Sequence, residues 1–407
     1  IEMWCDKAVE GNSMAARMSS LVDPDTGKAG ANAIKVVDSH TIQLTCNSSD
    51  ITIIAGMADY PAAVVHSSFD PATMASGSVG TGPFVLDSHE VGVKSVSVKN
   101  EGFDWWGYSA GRECPLDRIE YIDYGTDPAA WLAAAEADEV DCFYENVGEY
   151  VDVMEGIGWE NSEIATGSTI LIRPNQTTPD ADGNTVYADK RVRQALAMAV
   201  DNNVCLELGY ANKGAPADNH HAGSMHPEHD PSVGRLPYDP AKAKALMAEA
   251  GMADYEHELI SIDDDWRKNT TDAVAAQLRD AGIKVKRTIL PGSTFWNDWA
   301  KYPFSSTNWN HRPFAVQVWG LAYRSGEAWN EMGWSNAEFD ALLAEANSIA
   351  DADKRRAVAG KCQALIAEEG CTIQPYWRSL YRSHSSNTLC DMHIAYHAHV
   401  YKWGFKA

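Results

Sequence analysis

"STILIRPN" (residues 168–175) is followed, after a polar stretch, by "DKRVRQALAMAVDNNVCLELGY" (residues 189–210). The first segment is a short apolar run of strand length, which is typical of a strand buried inside a sheet. The second has apolar residues spaced three and four positions apart, which predicts one amphipathic helix. Because α/β proteins alternate buried strands with helices, these two segments predict an α/β fold.

Further strand and helix patterns lie on both sides of these segments. "IKVVDSHTIQLTC" (34–46) predicts two short strands around a turn, and the stretch from "GTGPFVLDS" to "VKSVSVKN" (80–100) predicts a second hairpin. "DPAAWLAAAEADEVDCFYE" (127–145) predicts a helix running into a strand, with Asp127 as its N-cap. Asp239 marks the start of another helix in the same way. We therefore expect mixed sheets flanked by helices.

Composition excludes several classes of function. The chain has 57 acidic and 33 basic residues and a formal charge of −24 at pH 7, which argues against nucleic acid and anionic membranes as partners. It contains no apolar run long enough to span a membrane. It also contains no GxSxG, P-loop or dinucleotide motif, so we expect no catalytic residues and no cofactor, with a hydrolase as the rival class.

The cysteines are spaced in a way that weakens a zinc or thioredoxin-like interpretation. None of the eight forms a CxxC pair. In an exported protein some would pair, and Cys362 and Cys371, at a helix-to-strand junction, are our first expectation for a disulfide. Buried free thiols are the alternative.

Two segments carry candidate binding residues. In residues 291–334, tryptophans and polar residues mix without periodicity, which is expected of loops that line a ligand-binding cleft. The stretch "DNHHAGSMHPEHD" (218–230) holds four histidines, a density that suggests a metal site. Their spacing matches no HExxH pattern, so we expect no functional metal. A polar loop that contacts ligand and a plain surface loop remain the alternatives.

Several motifs occur together in the order found in one protein family. They are "GTGPF" (80–84), "DKRVRQALAMAVD" (189–201), "YDPAKAKALMAEAG" (238–251), "QLRDAGIKV" (277–285), "WSNAEFDALLAEA" (334–346) and "IQPYWRSLY" (373–381). Together they resemble the extracytoplasmic solute-binding proteins of the peptide/nickel class of ABC importers, which include the dipeptide- and oligopeptide-binding proteins.

The resemblance implies an architecture. Proteins of this family are two-lobed clamps of the type II periplasmic-binding-protein class, joined by two crossover strands, here "STILIRPN" and "IQPYWRSL". It implies a first lobe at 1–167, a second at 168–376 and a C-terminal return to the first at 377–407. Family members carry further residues ahead of the equivalent of Ile1, so we expect the first lobe to lack its usual N-terminal part.

The resemblance also implies a function. The chain would be a monomeric periplasmic protein, not an enzyme, that captures a small polar solute and delivers it to the permease subunits of an ABC transporter. A short peptide is the family's usual ligand. An opine, a modified amino acid, an oligosaccharide or a nickel complex is the alternative.

Candidate ligand-binding residues follow partly from the resemblance and partly from residue chemistry. By resemblance, "NWNHRP" (308–313) is the loop that grips a peptide's amino terminus, but Arg312 stands where an ammonium-binding Asp is expected. Either the ligand presents an anion there, the alignment shifts by one or two residues, or Arg312 forms a structural ion pair. The full predicted set is Trp266, Arg267, Trp296, Trp309, Asn310, His311, Arg312, Trp319, Arg324, Trp329, His220 and His221.

Overall fold

A computed structural model describes residues 1–76 and 79–406. Its contacts divide the chain into two compact units. Unit 1 contains Ile1–Ala62 and Thr166–Arg378, and unit 2 contains Ala63–Ala165 and the chain from Ser379 onward. Two of these boundaries lie within two residues of the predicted lobe limits. Residues 1–62, however, group with the segment predicted as the second lobe, so the assignment of whole lobes stays a prediction.

The strands are, in chain order, β1 (Ile34–Val36), β2 (Ile42–Leu44), β3 (Phe84–Glu90), β4 (Lys94–Lys99), β5 (Arg118–Ile122), β6 (Glu160–Pro174), β7 (Gly214–Pro216), β8 (Glu256–Ile262), β9 (Lys284–Leu290), β10 (Phe304–Trp309), β11 (Tyr376–His384), β12 (Thr388–Leu389) and β13 (Gly404–Phe405).

The α-helices are α1 (Met14–Arg17), α2 (Ile53–Met57), α3 (Trp106–Ser109), α4 (Pro128–Glu136), α5 (Tyr150–Gly156), α6 (Lys190–Met198), α7 (Asn202–Tyr210), α8 (Pro240–Glu249), α9 (Asp265–Asp280), α10 (Gly292–Phe295), α11 (Ala315–Ala322), α12 (Ala337–Ser348) and α13 (Ala352–Glu369).

A mixed sheet with strand order β7-β11-β6-β10-β8-β9 organises unit 1. Strand β8 pairs in parallel with β9 and β10, whereas β10 pairs antiparallel with β6. Residues 166–174 of β6 are buried, as its apolar sequence predicts. Both β6 and β11 continue across a boundary between the units. The prediction of an α/β fold with mixed sheets is confirmed.

Three local predictions are wrong for identifiable reasons. Residues 189–210 form two helices, because the first ends at Met198 and Asp201 caps the second by accepting a hydrogen bond from the amide of Asn203. The strand predicted after α4, within residues 137–145, does not form; Cys142 makes an isolated bridge with His384. Segment 291–334 includes β10 and α11, since buried hydroxyl residues hide the strand pattern of β10.

Other local predictions hold. Strands β1 and β2 pair as an antiparallel hairpin, and so do β3 and β4 in unit 2, where β5 completes a three-stranded sheet. Asp127 and Asp239 accept N-capping hydrogen bonds from Ala129 and Lys242. In the described part of the chain, no helix is long and apolar enough to cross a membrane.

The cysteine prediction is wrong in its pairing. The disulfide joins Cys142 to Cys390, within unit 2. Cys362 and Cys371 are free and fully buried, because both belong to the hydrophobic core around α11 and α13. Burial raises the pKa of the Cys362 thiol to about 12, so it behaves as a small apolar side chain.

Candidate functional site

The loop "NWNHRP" continues from strand β10 in unit 1. Trp309 is the last residue of β10 and lies opposite Thr169 on β6. The His311 amide donates to Ser168 Oγ at 3.1 Å, and the Gly167 amide donates to His311 Nδ1 at 2.9 Å. Strand β6 therefore fixes the loop through hydrogen bonds at successive residues. A Cβ at Gly167 would lie 3.0 Å from His311 Nδ1, so only a small residue fits there.

Trp309 belongs to an aromatic wall that a buried charge pair holds in place. Its ring meets Trp329 and His221 edge-on, with ring centres 5.6 Å and 5.9 Å apart. Trp309 Nε1 donates to Glu331 Oε1 at 2.8 Å. Glu331 in turn pairs with Arg173 Nε at 2.6 Å, and neither side chain is exposed. The indole of Trp309 therefore cannot rotate without breaking a hydrogen bond to a buried carboxylate.

Histidines of the 218–230 loop pack against Trp377. The ring centres of His221 and His226 are 5.8 Å and 5.6 Å from that of Trp377. His226 Nδ1 accepts from the Gly223 amide at 3.0 Å, which leaves the proton on Nε2 to donate to the Arg312 carbonyl at 3.1 Å. Burial, reinforced by neighbouring His311, lowers the pKa of His226 to about 3, so the ring is neutral at pH 7.

The plain-surface-loop alternative for residues 218–230 is wrong. His220, His221 and His226 are buried, because their rings pack among aromatic residues. The rings of His220 and His226 bond to backbone groups, and that of His221 contacts the Tyr323 hydroxyl at 3.3 Å. Burial lowers the pKa of His220 to about 4 and holds that of His221 well below its ordinary value. Among residues 1–76 and 79–406, no three His, Cys, Asp or Glu side chains are arranged to hold a metal ion.

Arg312 forms a three-residue ionic group with Arg17 and Asp59, here called the double-arginine cluster. Arg312 Nε donates to Asp59 Oδ2 at 3.0 Å. Arg17 contacts the same oxygen through Nε and Nη2, each at 2.7 Å. The side chains of Arg17, Asp59 and Arg312 are 0%, 8% and 4% exposed, so the group is almost fully removed from water. Burial lowers the pKa of Arg312, although Asp59 opposes the shift.

Two of the remaining predicted residues lie near the start of α9. Trp266 is buried, with the guanidinium carbon of Arg378 only 3.8 Å from its ring centre. Arg267 Nε donates to Asn308 Oδ1 at 2.9 Å, and its Nη1 pairs with Asp264 at 2.6 Å. Arg267 thereby links α9 to the residue next to Trp309.

The rest of the predicted set divides by access to solvent. Trp319 is fully buried and donates its indole N–H to the carbonyl of His220, a packing role. Arg324 pairs with Glu327 at 2.7 Å. Trp329 is half-buried, and the guanidinium of Arg17 lies 4.8 Å from its ring centre. The half-buried or exposed members are Arg267, Trp296, Asn310, His311, Arg324 and Trp329.

Sequence reasoning missed Arg17 and Asp59. Asp59 lies 253 positions from Arg312, in the segment predicted to belong to the other lobe. No local pattern marks either residue, because an isolated Arg or Asp is ordinarily a surface residue. Only the docking of residues 1–62 onto the rest of unit 1 brings these charges together.

Comparisons with known proteins place this geometry in a family. The family model of bacterial extracellular solute-binding proteins, family 5 Middle, matches residues 7–330. Heme-binding protein A of Haemophilus influenzae is 25% identical over 370 residues, which cover 82% of this chain and 62% of that protein. Di/tripeptide-binding protein 3 of Pseudomonas aeruginosa is 22% identical over 364 residues, covering 83% and 64%. The chain thus spans less than two thirds of the length of these relatives.

A solved structure shows the same fold. The Escherichia coli murein tripeptide binding protein MppA superposes with a TM-score of 0.84, over 99% of this chain and 81% of that one, at 17% identity. An identity this low shows likeness of fold alone. The predicted resemblance to the peptide/nickel class is confirmed by these matches.

Proposed function

The chain belongs to the family 5 bacterial extracellular solute-binding proteins, a class of binding proteins and not of enzymes, and we propose that it captures a small polar solute, in the first instance a short peptide, for an ABC transporter. Delivery to the permease subunits in the membrane is part of this proposal. The observation that carries it is that the aromatic wall of Trp309, Trp329 and His221 lies next to the double-arginine cluster in unit 1. Apolar walls bearing a few fixed polar groups are typical of small-molecule sites.

The proposed contacts are the predicted residues that solvent can reach. They are Arg267, Trp296, Asn310, His311, Arg324 and Trp329, and we add Arg312, which is only 4% exposed, because of the charge of its cluster. Rigid tryptophan rings provide large contact area with little loss of side-chain entropy. The buried members Trp266, Trp309, Trp319, His220 and His221 support this surface from behind, and the indoles of Trp309 and Trp319 already donate hydrogen bonds within the unit.

A non-peptide ligand is the second candidate. A relative is named for haem binding, and neutral imidazoles are common ligands of haem iron and nickel. His311 is half-buried, and its ring stacks on that of His226 at 6.3 Å. An opine, a modified amino acid or an oligosaccharide fits the same mixture of tryptophan and arginine side chains.

A periplasmic, monomeric protein fits the chemistry of the chain. The disulfide Cys142–Cys390 supports an oxidising compartment. A formal charge of −24 favours solubility and disfavours self-association. Both compartment and oligomeric state are part of the proposal.

Native mass spectrometry of the purified protein, followed by calorimetric titration, tests the function. The panel contains di- and tripeptides, an opine, a Ni²⁺–histidine complex and haem. We expect one class to bind with micromolar or tighter affinity and to be recovered unchanged after overnight incubation. At about one hundred times Kd it adds about 2.7 kcal/mol to the free energy of unfolding. Recovery of a chemically altered solute contradicts the proposal.

A further inference from the structure

Three buried arginines of unit 1 each face a carboxylate. Arg173 faces Glu331, Arg355 faces Glu228 at 2.7 Å, and Arg193 faces Glu369 at 2.8 Å. Each of these pairs has no net charge. Such matching is expected, because an unpaired charge inside a protein is costly.

The double-arginine cluster departs from this rule. Arg17 and Arg312 share the single carboxylate of Asp59, which leaves one excess positive charge. Within residues 1–76 and 79–406, no second carboxylate lies within 4.0 Å of either guanidinium. The neighbouring histidine His226 is neutral and adds no charge. The faces of Trp329 and Tyr60, 4.8 Å and 5.7 Å from the guanidinium carbons, stabilise the cations without neutralising them.

The two arginines differ in how they meet Asp59. Arg17 donates to Asp59 through Nε at 2.7 Å and to the Ser13 carbonyl through Nη1 at 2.6 Å, and its fully buried Nη2 lies 2.7 Å from Asp59 Oδ2. Arg312 engages Asp59 once, and its Nη1 donates to the carbonyls of Asn310 and His311, both at 3.1 Å. Nη2 of Arg312 donates no hydrogen bond to any residue that the structure describes.

We infer that Arg312 in the double-arginine cluster is the recognition site for a carboxylate on the bound solute. This inference rests on the proposed function and names the chemical class of its ligand. One carboxylate supplies one negative charge and so completes a neutral group of two guanidiniums and two carboxylates. A phosphate monoester carries about −1.5 to −2 at pH 7 and overcompensates. Guanidinium donors also match the planar geometry of a carboxylate.

Matched acid and amide probes test the carboxylate directly. Ala-Ala and Ala-Ala-amide, and N-acetylalanine and its amide, are titrated at constant ionic strength into the wild-type chain, Arg312→Ala and Arg312→Lys. Arg191→Ala is the control, because Arg191 pairs with Asp189 at an exposed position. We expect at least one acid to bind the wild type at least tenfold more tightly than its amide. Arg312→Ala weakens binding of that acid by about thirtyfold or more and removes the preference.

The other arms separate this inference from the proposed function. Arg312→Lys restores the preference for acid over amide only in part, because lysine keeps the charge but lacks the planar guanidinium donors. Arg191→Ala keeps the full preference. Circular dichroism establishes that each variant is folded. If acid and amide bind the wild type equally, or if the preference survives Arg312→Ala, the carboxylate inference is wrong and the proposed function stands. If neither acid binds, the panel solute that does bind is compared with its own amide in the same variants, and the same two outcomes decide. If no solute binds and none co-purifies, the carboxylate inference and the proposed function are both wrong.

Discussion

The Arg173–Glu331 pair and the double-arginine cluster are two buried ionic groups of the same unit with different charge balance. Arg173 and Glu331 are both fully buried, and Glu331 also accepts hydrogen bonds from Thr307 and Trp309. One cation meets one anion, and every contact serves the fold. In the cluster, Arg17 and Arg312 meet only Asp59. The balanced pair serves the fold, and we expect the unbalanced cluster to retain affinity for an external anion.

The largest expected effect comes from breaking the balanced pair. Glu331→Gln leaves Arg173 without a counter-charge in a fully buried position. Loss of one partner from a buried pair typically costs about 3–5 kcal/mol, and we expect a loss of this size in the free energy of unfolding measured by urea denaturation. Glu345→Gln, on the exposed face of α12, is the control and should change stability by less than about 0.5 kcal/mol. Similar losses in the two variants contradict a structural role for Glu331.

The fold was largely predictable, because its signals are local. The apolar run at 168–175 and the Asp caps at 127 and 239 identify their elements without knowledge of the rest of the chain. Predictions failed where a local signal was ambiguous. Asp201 lies within a continuous apolar periodicity, so the break between α6 and α7 is visible only from its capping hydrogen bond.

An effect of intermediate size comes from the histidines next to Arg312. The pKa of His226 is about 3 in the folded chain, below its ordinary value of 6.5. Between these values the unfolded chain binds a proton that the folded chain does not, so stability falls as the pH falls through 6.5. Burial is the main cause, and His311 opposes protonation of His226 as well.

Urea denaturation at pH 7 and pH 5 measures this effect. We expect the wild type to lose about 2 kcal/mol more than His226→Gln over this interval, from about 1.36 kcal/mol per pH unit below 6.5. His40→Gln, at an exposed position, should retain the wild-type dependence. Identical pH dependence in the wild type and His226→Gln shows that His226 does not titrate in this way.

The candidate site was predictable only in part. Four of its five predicted tryptophans, and Arg312, lie in residues 291–334, and this density predicts a binding segment. The partners that determine their roles are Asp59, Arg17 and Glu331, which no spacing rule connects to them. Burial also separates Trp319 from Trp329, although both are tryptophans of the same segment. Long-range contacts, which sequence patterns do not encode, made that distinction.

The most direct test of the account compares Arg312→Ala with Arg355→Ala in the absence of any solute. Arg355→Ala strands the fully buried carboxylate of Glu228, and we expect a loss of about 3–5 kcal/mol in the free energy of unfolding. Arg312→Ala leaves Asp59 in its two contacts with Arg17, each 2.7 Å, and removes the excess charge. We expect it to lose less than about 1 kcal/mol, within the range of ordinary substitutions. A loss as large as that of Arg355→Ala would show that Arg312 is a structural residue and contradict the account.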